Sequence, residues 1–169
     1  LRKAADKGRA SAQFRMGECF YEGYGVEKDL AKAVGWYQKA ASQGYAHAQC
    51  WLGFCYENGY GVEKDDPKAV EWYLRAAEQN HAETQNRLGD RYKNGNGVEK
   101  DAAKAAEWYE KSAKLGHVRA MLNIAECYLS GQGVTENAAK AVKWFRKSAE
   151  KGVSGAQFDL GMCFLDGTG

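Results

Sequence analysis

Apolar residues along this chain fall into two helical stripes that take turns. Ala33, Trp36, Tyr37, Ala40 and Ala41 sit at i, i+3, i+4, i+7 and i+8, the pattern of an amphipathic helix with one buried face. A shorter stripe precedes it, Ala12, Met16, Cys19 and Phe20, and returns as Ala48, Leu52, Cys55 and Tyr56. Each unit therefore predicts two helices. Gly17 and Gly53, beside Met16 and Leu52, carry no side chain and let a neighbouring helix come close. Gly23-Tyr24-Gly25 breaks the first helix and permits a sharp reversal, and Val26 is expected to tuck back between the two helices.

The punctuation of the second helix is equally regular. Asp29, Asp65, Asp101 and Asn137 stand just ahead of it as N-caps able to accept an orphan backbone N–H. Pro67, the only proline, falls in the first turn, where its missing N–H does little harm. Gly8, Gly44, Asn80, Gly116 and Gly152 follow the stripe, and glycine and asparagine adopt the left-handed helix-ending conformation most cheaply.

The whole pattern repeats with a step of 36 residues, seen in Val26, Val62, Val98 and Val134 and again in Trp36, Trp72, Trp108 and Trp144. Gly17, Gly53, Gly89, Ala125 and Gly161 keep the same step. A single helical hairpin cannot hide its apolar faces, whereas a stack of hairpins can, which is the logic of an α-solenoid. Residues 1–169 read as a single repeat array of about four complete repeats with partial ones at both ends. The chain begins within a second helix and stops within a "GxG" turn, with no polar cap, and so reads as a fragment of a longer array.

Composition narrows the possibilities. A mean hydropathy of −0.65 points to a soluble protein. No apolar run approaches the roughly 20 residues that would cross a bilayer, and no signal peptide is visible. Lys and Arg number 24 against 22 Asp and Glu, and the signs are interleaved, so neither nucleic acid nor direct membrane insertion is expected. The five cysteines, Cys19, Cys50, Cys55, Cys127 and Cys163, are an odd number. Four share one repeat phase, where equivalent atoms would stand about 10 Å apart against the roughly 7 Å limit between the Cα atoms of a disulfide. They read as small buried hydrophobes, which favours a reducing, cytoplasmic compartment.

The recurring string A-x-x-x-L-G-x-x-Y-x-x-G-x-G-V-x-K-D-x-x-K-A-x-x-W-Y-x-K-A-A-x-x-G resembles the Sel1-like repeat family, relatives of the tetratricopeptide repeats. The match runs over essentially the whole chain, with small departures at Asn80, Ala125 and Thr135-Glu136-Asn137. The resemblance implies an all-α, right-handed superhelical α/α solenoid. Some secreted members link the two helices of a repeat by a disulfide, which would need a second cysteine per repeat that this chain lacks.

Catalytic and ligand-binding motifs fail one by one. "GYGVEK" and "GNGVEK" lack the third glycine of a dinucleotide loop and follow helices, not strands. Ser148 to Lys151 spells S-x-x-K without its companion motifs, and position 148 simply repeats Ser112, Ala76 and Ala40. His81 and His117 lie a full repeat apart, too far to converge on a metal, and His47 sits in a different first helix from His81. Glu71 and Arg75, and Glu107 and Lys111, read as i,i+4 surface pairs. No cofactor, metal or catalytic residue is expected.

Function should then reside where the repeat varies. By the resemblance, first helices line a concave face. One phase of these helices gives Phe14, Cys50, Asn86, Leu122 and Phe158. A second gives Glu18, Phe54, Asp90, Glu126 and Met162. A third gives Tyr21, Glu57, Lys93, Leu129 and Leu165. Apolar letters among acidic ones suit a receptor for a peptide or helical segment that carries Lys or Arg beside apolar anchors. Trp51, whose counterparts include Arg15 and Arg87, is either stacked on one of these arginines or an extra anchor for the partner. The favoured expectation is a non-catalytic protein-interaction scaffold. Its rivals are a structural spacer between domains and an accessory hydrolase-like activity.

Overall fold

The computed structural model describes residues 1–152 and Gly155. Among the described residues there are helices and turns and no strand. In chain order the helices are α1 (Arg2–Asp6), α2 (Ala10–Glu22), α3 (Leu30–Ser42), α4 (Ala46–Asn58), α5 (Asp66–Ala77), α6 (Ala82–Asn94), α7 (Ala102–Lys114), α8 (Val118–Ser130) and α9 (Ala138–Glu150). Even-numbered helices are the first of each hairpin, and odd-numbered ones are the second.

The second helices start and stop where the sequence pattern put them. Asp29, Asp65, Asp101 and Asn137 each take extended backbone and accept the N–H three residues on, at 2.9 Å in every case. Past the helix ends, Gly8, Gly44, Gly116 and Gly152 have positive φ, and Asn80, at φ 60°, is the one other residue type that does so among the described residues. Each hairpin is then closed by a backbone bond across its loop. The N–H of Asp29 donates to Phe20 at 2.8 Å, Asp65 to Tyr56 at 2.9 Å, Asp101 to Tyr92 at 2.9 Å and Asn137 to Tyr128 at 2.8 Å. Val62 and Val134 do tuck inward and pack against the apolar clusters.

Within a hairpin, the small residue of the first helix meets an aromatic ring of the second. A methyl group placed on Gly53 would stand 2.6 Å from the Tyr73 ring, and Gly17 and Gly89 face Tyr37 and Tyr109 at least as closely. Tyr37, Tyr73, Tyr109 and Phe145 are all fully or almost fully enclosed. Burying each such ring contributes roughly 2–3 kcal/mol.

The chain divides into two compact units: Leu1–Thr84 with Asn96–Val98, and Gln85–Gly95 with the chain from Glu99 onward. The first has a core of Phe14, Ala33, Tyr37, Leu52 and Cys55, with Ala5, Ala12 and Met16 packed beside α1. The second centres on Tyr109, Ile124, Cys127 and Phe145. Successive repeats inside a unit touch through the hairpin loops. Gly61, at φ 70°, lies directly against the carbonyl of Leu30 at the head of α3, and Gly133 lies against that of Ala102 at the head of α7, so neither site has room for a side chain. Buried glutamines add polar latches. Gln49 donates to the Ala41 carbonyl at 3.2 Å and accepts from Gln79 at 2.7 Å, and Gln13 does the same with Ala5 and Gln43. These bonds satisfy side chains that burial would otherwise penalise.

On the outer surface the Glu107–Lys111 pair forms at 2.7 Å. The expected Glu71–Arg75 pair does not form. The Arg75 guanidinium instead lies over the Trp72 ring, 4.3 Å from its centroid, because a planar cation three residues on from a half-buried indole gains more by stacking than by a solvated ion pair. Among the described residues no helix is long and apolar enough to cross a membrane.

Candidate functional site

The three variable phases of the first helices do not share one environment. Phe14, Cys50 and Asn86 are buried, which corrects the expectation that they line an open face. Phe14 packs on Tyr37 and Tyr45, with ring centroids 5.6 and 5.5 Å away. Asn86 accepts a hydrogen bond from Asn123 at 2.9 Å. Leu122, in the same phase, is half-buried against the second unit's core. The helix turns this phase toward its packed neighbours, so its variability reflects core fitting.

The other two phases are more open. Glu18, Phe54, Asp90, Tyr21, Glu57 and Leu129 are half-buried, and Glu126 and Lys93 are exposed. Phe158, Met162 and Leu165 lie outside the described residues. Two of the acidic letters have a structural duty that the sequence reading missed. Glu57 accepts the Tyr73 hydroxyl at 2.5 Å, and Asp90 accepts that of Tyr109 at 2.7 Å. Burial raises the Tyr109 pKa first, and the bond to Asp90 adds to it, since both favour the neutral phenol. The signal was present: the fourth copy has Phe145 in place of tyrosine, with no hydroxyl to satisfy.

Trp51 belongs to an aromatic cluster. Its ring stands 5.2 Å from Tyr21 in edge-on contact, 5.8 Å from Tyr37 and 5.6 Å from Phe54. Tyr60, from the hairpin loop, closes on both Tyr21 and Phe54 at 6.1 and 5.6 Å. Tyr24, the equivalent loop residue one repeat earlier, is 70% exposed. These loop tyrosines were read only as turn residues, because the glycines flanking them dominate the local pattern. Around the cluster, a cavity of about 430 Å³ is bounded by Arg15, Glu18, Tyr21, Glu22, Tyr37 and Trp51 among others.

The remaining candidates settle into structural roles. His117 caps α8, accepting the Ala120 N–H on Nδ1 at 3.2 Å, and the His81 Nδ1 lies 2.7 Å from the Thr84 hydroxyl. His47 and His81 do meet, at 4.7 Å between centroids, which corrects the view that these histidines stay apart. The start of one first helix stacks on the start of the next. Among the described residues no three His, Cys, Asp or Glu side chains gather as metal ligands. Ser148 is fully enclosed and its hydroxyl meets no hydrogen-bond partner, so it is closed to substrate. Cys19, Cys50, Cys55 and Cys127 carry thiols and take part in no disulfide among the described residues. Desolvation pushes Cys55 up to about 12 and Cys127 upward as well, so both are poor nucleophiles.

Hairpins of this kind, recurring every 36 residues, define an all-α repeat protein. The chain belongs to the Sel1 repeat family, whose model matches residues 10–45, 46–81, 82–117, 118–153 and 154–169. A protective antigen of uropathogenic Escherichia coli with an SLR fold is 39% identical, with a TM-score of 0.96 over 99% of this chain and 36% of that one. A Sel1 repeat protein from Oxalobacter formigenes is also 39% identical, with a TM-score of 0.92 over 96% of this chain and 67% of that one. The cysteine-rich protein B of Helicobacter pylori is 31% identical, at TM-score 0.63 over 79% of this chain and 96% of its own. The chain thus spans about a third of the Escherichia coli antigen and two thirds of the Oxalobacter protein. No curated protein matches this chain. Sel1 repeat proteins are generally protein-interaction scaffolds, and the fold is typically non-catalytic.

Proposed function

We propose that this protein is a non-catalytic scaffold that receives a peptide or helical segment of a partner protein on the open positions of its first helices. The observation that carries this reading is the ring cluster of half-buried Tyr21, Trp51 and Phe54 with exposed Tyr60, and Glu18 beside it. Aromatic side chains held rigid by one another and open on one side are the usual anchors of a protein interface. Acidic neighbours select a segment with Lys or Arg next to apolar residues. In the second unit, Leu122 and Leu129 with Asp90 and Glu126 offer the same mixture in weaker form.

The test is selection from a displayed library of random dodecapeptides against the full chain. Enriched sequences should pair Lys or Arg with Leu, Phe or Trp, and their binding should fall at least tenfold in a Phe54→Asp, Leu122→Asp double variant that keeps its helical circular dichroism. Absence of enrichment, or undiminished binding by the folded double variant, overturns the reading.

A further inference from the structure

Tyr37 is fully enclosed, and its hydroxyl has no hydrogen-bond partner. The equivalent hydroxyls of Tyr73 and Tyr109 each donate to a carboxylate. A buried hydroxyl left unpaired costs about 1–3 kcal/mol, and a phenylalanine would avoid that cost, as Phe145 does at the same position of the fourth repeat. Tyr37 also forms part of the wall of the cavity between Trp51 and the exposed side of α2. Two carboxylates, Glu18 and Glu22, line the same cavity, and neither has an ion-pair partner among the described residues. The side walls are the rings of Tyr21 and Trp51, 5.2 Å apart in edge-on contact. Tyr21 already attracts a cation, for the Lys28 ammonium stands 5.5 Å from its centroid.

We propose that this cavity is the receptor for an arginine side chain of the partner, a reading that rests on the scaffold function above and adds a defined subsite to it. A guanidinium has five N–H donors in one plane and no acceptor. Glu18 and Glu22 supply acceptors for the fork, and the Tyr21 and Trp51 rings supply faces for stacking. The Tyr37 hydroxyl joins Glu18 once that carboxylate is drawn in, repeating the bond that Tyr109 makes to Asp90 two repeats on. Leu1 and Arg15 also line the cavity, and the Arg15 guanidinium weakens the site without closing it, since two carboxylates oppose it.

The experiment uses the full chain and blocked single residues. Nα-acetyl-arginine methylamide is titrated against ¹⁵N-labelled protein, with the citrulline analogue, equal in shape and uncharged, as control. Saturable shifts at Gly17, Glu18 and Tyr37 are expected with the arginine probe and not with citrulline. Affinity should fall about tenfold in Glu18→Gln, the worth of one charge-assisted bond, and several-fold in Tyr37→Phe. Arg15→Ala should bind more tightly. No saturable response, equal response to citrulline, or unchanged affinity in Glu18→Gln or Tyr37→Phe overturns the subsite. If that happens while peptides are still enriched and lost with the Phe54→Asp, Leu122→Asp variant, the scaffold reading stands without it.

Discussion

Tyr73 donates its hydroxyl to Glu57 at 2.5 Å from a ring that is wholly enclosed. Thirty-six residues earlier in the chain, Tyr37 occupies the same place with its hydroxyl unpaired. The two positions should therefore answer differently to the loss of one oxygen. Tyr73→Phe is expected to lower stability by about 1–2 kcal/mol, while Tyr37→Phe is expected to be neutral or stabilising. Urea unfolding of the two variants beside the parent decides it. Equal losses would show that the Tyr37 hydroxyl is satisfied in solution.

The loop glycines separate conformational freedom from close approach. Gly44 and Gly61 share a positive φ, 82° and 70°, but a Cβ on Gly44 would meet nothing within 4 Å, whereas one on Gly61 would overlap the Leu30 carbonyl. Gly44→Ala should cost about 1 kcal/mol for the left-handed backbone alone. Gly61→Ala should cost at least about 2 kcal/mol more, because backbone on both sides must move. Thermal melts of the two variants give the comparison, and equal shifts would remove the loop-to-helix contact from the account.

The N-caps carry a pH signature. Backbone N–H donation, from Lys32 to Asp29 and from Lys104 to Asp101, holds both carboxyls below their ordinary range. A depressed folded value means that the contribution is fully present above the unfolded value of about 3.9 and fades as pH falls through the folded one. Asp101→Asn should keep the cap, as Asn137 does for α9, yet flatten the loss of stability below about pH 4. Melting temperatures from pH 2 to 6 measure the slope, and an unchanged acid limb in the variant refutes the linkage.

Thiol reactivity should follow burial. Cys19 is half-buried, whereas Cys55 is wholly enclosed and its thiol is pushed up to about 12. Iodoacetamide at pH 8 should label Cys19 well before Cys55, and urea should erase the difference. Peptide mapping by mass spectrometry reads both rates, and early labelling of Cys55 in the native protein contradicts the packing described for α4.

Much of the architecture could be read from letters that recur. Asp29 and its equivalents announce helix starts, Gly44 and its equivalents announce ends, and Trp36 with Tyr37 marks the buried stripe, because each follows from local backbone chemistry or helical period. Burial at the variable positions could not be read in the same way. Phe14 and Phe54 differ little as letters, yet one is packed under Tyr45 and the other is half open, since they stand in phases four residues apart, about 40° round the helix, and that turn decides which neighbour covers them. The bonds from Tyr73 to Glu57 and from Tyr109 to Asp90 run 16 and 19 residues back along the chain, and only the hairpin geometry brings those partners together. Tyr60 escaped notice because its interest comes from the rings it touches, not from its place in the turn.

The seat of Gly61 on Leu30, renewed by Gly133 on Ala102, also sets rules for how such a chain can change length. Duplicating or excising one whole period rejoins every loop to an equivalent helix head, so this contact tolerates changes in length by whole periods. A gain or loss of any other length sets a loop against the wrong part of its predecessor, and the seam fails to close.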